Sequence, residues 1–526
     1  MLTARTSSGR WDRFPEQILD FLSQDTVDLV IDGAAVHGYR SPDNPALWIR
    51  DHSDIMRGGR YRTADMKSAV ECFADAQATS GRIYDYVITQ PEAWINAREN
   101  WEKWVRIPVE ADVEYRFVKA TFLAYQATGD IAWTKRLLPN CEQALRYSMS
   151  HPWRWDHQHG LMKRAYTIDT WDFDYTANRH PWLNFQITDH TFWGISHADN
   201  SGLYEAMLLL AQMQEVCGSA EAASTWRADA DALKRRANKL LFNGRFYTHF
   251  HKLSPMSIEG VDEPNQLSLS NPMAINRGMA TVDIARRIIA EYQLRLMQSG
   301  AFAEWYSIDP PFPTGAFGED LLVPGAYVNG GVMPLVGGEL ARAALLHGEE
   351  GYGVNILERY RMLIERDEAT FLWYFPDGTP SSEETSTSPE ATPTDGWGSS
   401  SMLYGFVEGL AGVCDKDRTF NHVDFRPRWA ATNETEGTIA MDYPASGASF
   451  AYAFKYTAEA IEFEISTEGS VALDVLIPEG KTCTGLSVGG RTGQHLEQEL
   501  HQKHYVRSAP ITVAGTKSLV LHLTDR

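Results

Sequence analysis

The 526-residue sequence contains no uninterrupted apolar run approaching the roughly 18 residues that a membrane-spanning helix requires. Its opening stretch, from Met1 to Asp12, lacks the apolar core of a secretory signal. These absences predict a soluble, cytoplasmic protein with no membrane partner. Cysteine is also scarce. Cys72, Cys141, Cys217, Cys414 and Cys483 are five in number, widely spaced and without a Cys-x-x-Cys pair, which argues against a disulfide framework and a thiolate zinc site. The sequon Asn433-Glu-Thr435 is then expected to carry no glycan. Positive charge falls short as well, with 48 Lys and Arg against 69 Asp and Glu and a formal net charge of −21. Nucleic acids demand clustered cations, so a neutral ligand suits the chain better. No Gly-x-Ser-x-Gly elbow, Gly-rich phosphate loop or His-Glu-x-x-His motif occurs. His249-Phe-His251 has no third ligand nearby, and neither a metal nor a cofactor is expected.

What the chain has in quantity is helical periodicity. Apolar residues recur at helical spacing from about Ala64 to Gly412, in pairs of segments separated by short breaks. Leu203 to Val216 is apolar nearly all round, as a buried helix is. Ala220 to Phe242 carries one stripe, Trp226, Ala230, Leu233, Ala237 and Leu240, as an outer helix does. Gly218 and Asn243-Gly244 stop the two helices. The alternation returns in Glu110 to Thr128 with Ile131 to Ser148, and in Gly331 to Leu346 with Tyr352 to Arg366. Another inner-type segment runs from Ser399 to Leu410, and single helices are predicted over Ala64 to Thr79 and Val282 to Gln298. Links of unequal length argue for a closed (α/α) barrel over an open solenoid. After about Asn421 the period becomes two, in Ile461, Phe463, Ile465 and again in Val471, Leu473, Val475, Ile477. The expectation is a mainly α protein: a helical-barrel domain over 1–420 and an antiparallel β-sandwich over 421–526.

Between the helices lie acidic clusters rich in aromatics, and carboxylates beside sugar-stacking rings suit glycosidic bond cleavage. In Tyr166-Thr-Ile-Asp-Thr-Trp-Asp-Phe-Asp-Tyr175, Asp172 stands between Trp171 and Phe173, where exclusion of water raises a carboxyl pKa as a general acid needs; Asp169 and Asp174 are its rivals. Trp48, Arg50 and Asp51 offer a ring, a five-donor guanidinium and a carboxylate for one sugar. Glu304 and Trp305 form a further loop pair. Glu339 is a carboxylate inside an otherwise apolar helix, tolerable only if paired or facing a wet pocket. The Ser/Thr/Pro-rich loop ending at Trp397 holds Glu383, Glu384 and Glu390, any of which could act as base.

Together Leu47-Trp-Ile-Arg-Asp51, Asp172 followed by Asp199-Asn-Ser201, Tyr327-Val-Asn-Gly-Gly331, and Asp395-Gly-Trp-Gly-Ser399 leading into Gly405 to Gly412 resemble the six-hairpin glycosidases. These have (α/α)6 barrels and include inverting α-L-rhamnosidases, glucoamylases, trehalases and processing α-glucosidases. A sandwich after the last helix is similar to the rhamnosidase arrangement. The resemblance implies Asp172 as general acid and a base near the final loop, where the motif's position reads Trp373-Tyr-Phe-Pro-Asp377 without a Glu. The reading is an exo-acting inverting glycoside hydrolase, with Glu339 as the favoured base and Glu390 its alternative. Trp48, Trp171, Trp305 and Trp397 would wall the sugar, with Arg50, Asp51, Asp174, Glu304 and Asn329 as further binders. The partner expected is a small saccharide or glycoside, with oligomeric state, a homodimer included, left open. Alternatives are a disaccharide phosphorylase, a sugar epimerase using histidines such as His190 and His197, and a catalytically silent glycan-binding protein.

Overall fold

The structure, a computed structural model, describes residues 2–40, 46–90, 94–99, 101, 103–382, 384–385, 393–500 and 502–526. Among them the helices are α1 (Phe14–Gln24), α2 (Ile49–Gly59), α3 (Ser68–Asp75), α4 (Trp94–Glu99), α5 (Val113–Thr128), α6 (Ile131–Ser148), α7 (His197–Val216), α8 (Ala220–Leu241), α9 (Ser270–Asn276), α10 (Val282–Gln298), α11 (Pro334–Leu346), α12 (Glu350–Asp367) and α13 (Gly396–Tyr404). After Tyr404 the last helix continues in a wider turn over Gly405–Leu410. No helix among the described residues is long and apolar enough to cross a membrane.

Local chemistry starts these helices where the structure has them. The Asp130 carboxylate accepts from the backbone N–H of Trp133 at 2.9 Å, and the Asp395 carboxylate from those of Trp397 and Gly398, satisfying N–H groups that a helix end leaves unpaired. In α8, Ala223, Trp226, Ala230, Leu233, Ala237 and Leu241 are buried, the single stripe of an outer helix.

Two sets of helices follow. Each of α2, α5, α7, α9, α11 and α13 packs against the next, and α13 returns to α2. Outside them, α6 lies against α5 and α7, α8 against α7, α10 against α9 and α11, and α12 against α11. The inner helices share one direction. Arg50 near the start of α2 meets Glu110 and Asp112 just before α5, and Tyr115 reaches Asp199 in the first turn of α7. At the far ends, Arg60 after α2 meets Glu408 after α13, and Arg342 late in α11 meets Asn276 at the end of α9. Gly338 is needed where α11 and α13 touch, because a Cβ there would strike the backbone of Ser401.

The all-β part consists of two sheets. One has seven strands in the order Leu2–Thr6, Glu436–Tyr443, Ala448–Tyr456, Ala460–Thr467, Gly515–Asp525, Lys481–Val488, Arg491–Gly493, all antiparallel. The other is not wholly antiparallel, since His422–Phe425 runs parallel to Ser470–Leu476. Phe425 bridges the sheets, its ring 5.1 Å from Phe463 and 4.8 Å from Tyr452. The first sheet takes its edge strand from Leu2–Thr6, with Leu2 opposite Met441, although a division at residue 420 places those residues with the helices.

Candidate active site

The parallel inner helices present their N-termini at one end, where the positive ends of the helix dipoles favour carboxylates. Acids gather there. Arg50 stands at the centre, its guanidinium 2.8 Å from Glu110 and 2.9 Å from Asp112, and Arg116 adds a second cation to Asp112 at 3.4 Å. Burial would raise the Asp112 pKa, but Arg50 and Arg116 hold it down to about 2. Glu110 moves the other way: burial pushes its pKa well up, Asp85 adds to the rise, and Arg50 offsets only part of it.

Asp172 lies against this cluster. Burial raises its pKa to about 6, opposed chiefly by Arg50 and assisted by Asp85. Its neighbour Trp171 is fixed from two sides. The indole N–H donates to the Tyr327 hydroxyl at 2.9 Å, and the backbone carbonyl accepts from the Arg164 guanidinium at 2.6 Å. The Trp171 ring meets the edge of Trp397, in the first turn of α13, with centroids 5.8 Å apart. Trp48, immediately before α2, has its ring centroid 4.1 Å from that of Tyr86. The indole N–H groups of Trp48 and Trp397 have no hydrogen-bond partner among the described residues. A third group of acids adjoins them: Asp25 is raised well above the usual carboxylate range by burial and then by Asp395 and Asp51, and burial raises Asp395 to about 7. Carboxylates this close keep protons that isolated ones would lose.

The structure therefore brings together Trp48, Arg50, Asp51, Asp172, Trp171 and Trp397. Trp48 and Trp397 belong to helix starts and not to loops: both stand where an inner helix begins. Other candidates are engaged elsewhere. Asp174 is 1% exposed and accepts from the Asn184 amide at 2.6 Å, bridging strand-like segments behind Asp172. Glu304 is fully buried against the outer helix α12, where Arg359 donates to it at 2.7 and 2.8 Å and the Tyr352 hydroxyl at 2.5 Å. Trp305 is fully buried too, under the Arg359 guanidinium. Asn329 has both ends of its amide occupied by the backbone of Phe312 and Leu322, so it ties a loop together. All four are held by partners within the protein, away from the Arg50 and Asp172 cluster.

Glu339 is paired with Arg57 and accepts from the Asn276 amide at 2.5 Å, and Arg57, foremost among its neighbours, holds its pKa down to about 2 against the effect of burial. Arg57 follows Arg50 by seven residues on α2, about 10 Å further along the axis. The neighbours of Asp172 and those of Glu339 are thus different sets at different depths. Glu383 and Glu390 lie outside the described residues. Glu384 is exposed. Among the described residues no group of three or more His, Cys, Asp or Glu is arranged to hold a metal.

Sequence reasoning passed over Glu110, Asp112, Asp25 and Tyr327 as site components. Pro108-Val-Glu-Ala-Asp112, directly before an apolar helix, was the available signal: acids at an inner helix start point to the same mouth as Asp51 and Asp395.

No family model matches the chain, and no curated protein matches it. Solved structures do match. The α-L-rhamnosidase from Dictyoglumus thermophilum superposes with a TM-score of 0.59 at 11% identity, covering 99% of this chain and 50% of that one. A GH78 family rhamnosidase from Bacillus sp. GL1 gives 0.56 at 16% identity, covering 87% and 40%. The GH63 mannosylglycerate hydrolase from Thermus thermophilus, in complex with glucose, gives 0.52 at 14% identity, covering 75% of this chain and 99% of that one. The chain spans half or less of the length of these two rhamnosidase chains. At such identities the likeness is one of fold.

Proposed function

We propose that this chain is an exo-acting, inverting glycoside hydrolase built on an (α/α)6 barrel, releasing a terminal monosaccharide from a small saccharide or glycoside. The observation that carries the proposal is Asp172: a carboxyl raised to about 6, set between the Arg50 cluster and the Trp171–Trp397 corner at the N-terminal mouth of the inner helices. A carboxyl with that pKa remains partly protonated near neutrality, so it can protonate the leaving oxygen as the glycosidic bond breaks. The rings of Trp48 and Trp397 would supply stacking faces for the sugar at this mouth. Arg50 is anchored by two carboxylates, which fixes its remaining donors, and Asp51 offers an acceptor at the same mouth.

Inversion needs a second carboxylate to deprotonate water, with the two carboxyls roughly 6.5 to 9.5 Å apart. Glu339 is poorly suited, because Arg57 and Asn276 occupy its oxygens. Of the final-loop candidates, Glu390 is proposed as the base; it lies outside the described residues. The fold likeness to rhamnosidases and to mannosylglycerate hydrolase supports the reaction class. The epimerase reading is disfavoured: His190 is exposed and His197 is buried with its pKa lowered, chiefly by that burial, so the two form no acid–base pair.

The test is proton NMR of the sugar released from α- and β-linked gluco-, galacto- and rhamno-disaccharides and mannosylglycerate. An inverted anomer, lost in Asp172→Asn and Glu390→Gln but retained in Glu339→Gln, is expected. Release of a retained anomer, or none from any substrate, would sink the proposal.

A further inference from the structure

The inner helices end, at the side away from Asp172, in a cavity of about 300 Å³. Its charge is opposite in kind to the rest of the molecule. Arg57, Arg60, Lys119, Arg277, Arg342 and Lys416 line it, six cations in a chain whose formal net charge is −21. The C-terminal ends of helices attract cations through their unpaired carbonyls, which suits Arg57 and Arg60 at the end of α2 and Arg277 at the end of α9. Their carboxylate partners are fewer. Glu205 is shared by Lys119 at 3.0 Å and Arg277 at 3.6 Å. Glu408 is shared by Arg60 at 3.3 Å and Arg342 at 2.9 Å. Glu339 answers Arg57. Asp415, the remaining acid of the lining, turns its oxygens to the backbone N–H groups of Asp417 and Phe420. Lys416 stands exposed at the rim.

We infer that this cavity is a binding site for a small, multiply charged oxyanion, a phosphate-bearing or di- to tricarboxylate molecule, separate from the sugar site. Guanidinium groups match the oxygens of phosphate and carboxylate in pairs. Two carboxylates already divided between two cations each leave donors that a diffusible anion completes. The volume admits a molecule of that class and falls at the small end of ligand pockets. The inference does not depend on the glycosidase proposal, because none of the six cations belongs to the Asp172 cluster.

Citrate and inorganic phosphate are the probes, with isothermal titration calorimetry at fixed ionic strength on the full chain. Saturable binding to the wild type is expected, unchanged in Asp172→Asn and at least tenfold weaker in Lys119→Met and in Lys416→Glu. Lys416 is exposed, so Lys416→Glu decides the matter even if Lys119→Met fails to fold. Absence of saturable binding by both probes, binding that Lys416→Glu leaves untouched, or binding removed by Asp172→Asn would overturn the assignment.

Discussion

Replacing Glu339 by Gln separates a structural carboxylate from a catalytic one. The side chain is about 5% exposed and paired with Arg57, itself equally buried. Removing one member of such a pair leaves a buried charge without compensation, a loss of about 3 to 5 kcal/mol. The acid's own titration gives a similar figure. Its pKa falls from 4.5 to about 2 on folding, and at 1.36 kcal/mol per unit this is roughly 3 kcal/mol of stability. The sign follows from the depression: the contribution is complete above the unfolded pKa near 4.5 and is lost as pH falls toward 2. Equilibrium urea unfolding followed by tryptophan fluorescence should therefore show Glu339→Gln destabilised by about 3 kcal/mol at pH 7. The difference from wild type should shrink between pH 4.5 and 2, and kcat per folded molecule should change less than threefold. A stability change below about 1 kcal/mol together with a thousandfold fall in kcat would refute the reasoning and make Glu339 the base.

Asp172→Asn should lower kcat by about 10² to 10⁴ with little change in KM; in the wild type, kcat/KM should decline as pH rises through about 6, a limb that the variant loses. The same raised pKa means that the folded wild type loses stability between about pH 4 and 6, so the variant should be the more stable at pH 7. Trp397→Ala should raise KM about tenfold, roughly 1.4 kcal/mol of lost binding, read from initial rates; an unchanged KM would remove that ring from the sugar wall. Glu304→Gln should unfold about 3 kcal/mol more easily by leaving Arg359 unpaired, with kcat preserved in the folded fraction; loss of activity at unchanged stability would return it to the site.

Much of the helical layer was legible because helical periodicity is a local property. Ile131–Ser148 and Val282–Gln298 have the bounds their spacing predicts, and α7 and α8 stop beside Gly218 and Gly244, both at positive φ. The expected helix over Ala64 to Thr79 shrinks to Ser68–Asp75, and α2 was missed. Nothing in Ile49-Arg-Asp-His-Ser-Asp-Ile-Met-Arg-Gly-Gly59 reads as an apolar stripe, since its polar side chains are buried by partners on other helices.

Composition and spacing by themselves determined the alternation of buried and striped helices and the turn to period two after residue 421, and they pointed to Asp172, between two rings, as the proposed acid. Only the tertiary structure decided which acids are free and which are bound. Glu304 and Glu339 were candidates in the sequence beside Asp172, yet each meets an arginine far along the chain, Arg359 and Arg57. It likewise decided that Leu2–Thr6 completes a sheet built from residues after 435. A carboxylate's chemistry is set by what packs opposite it, and in a ring of helices that neighbour comes from distant sequence, beyond the reach of any local pattern.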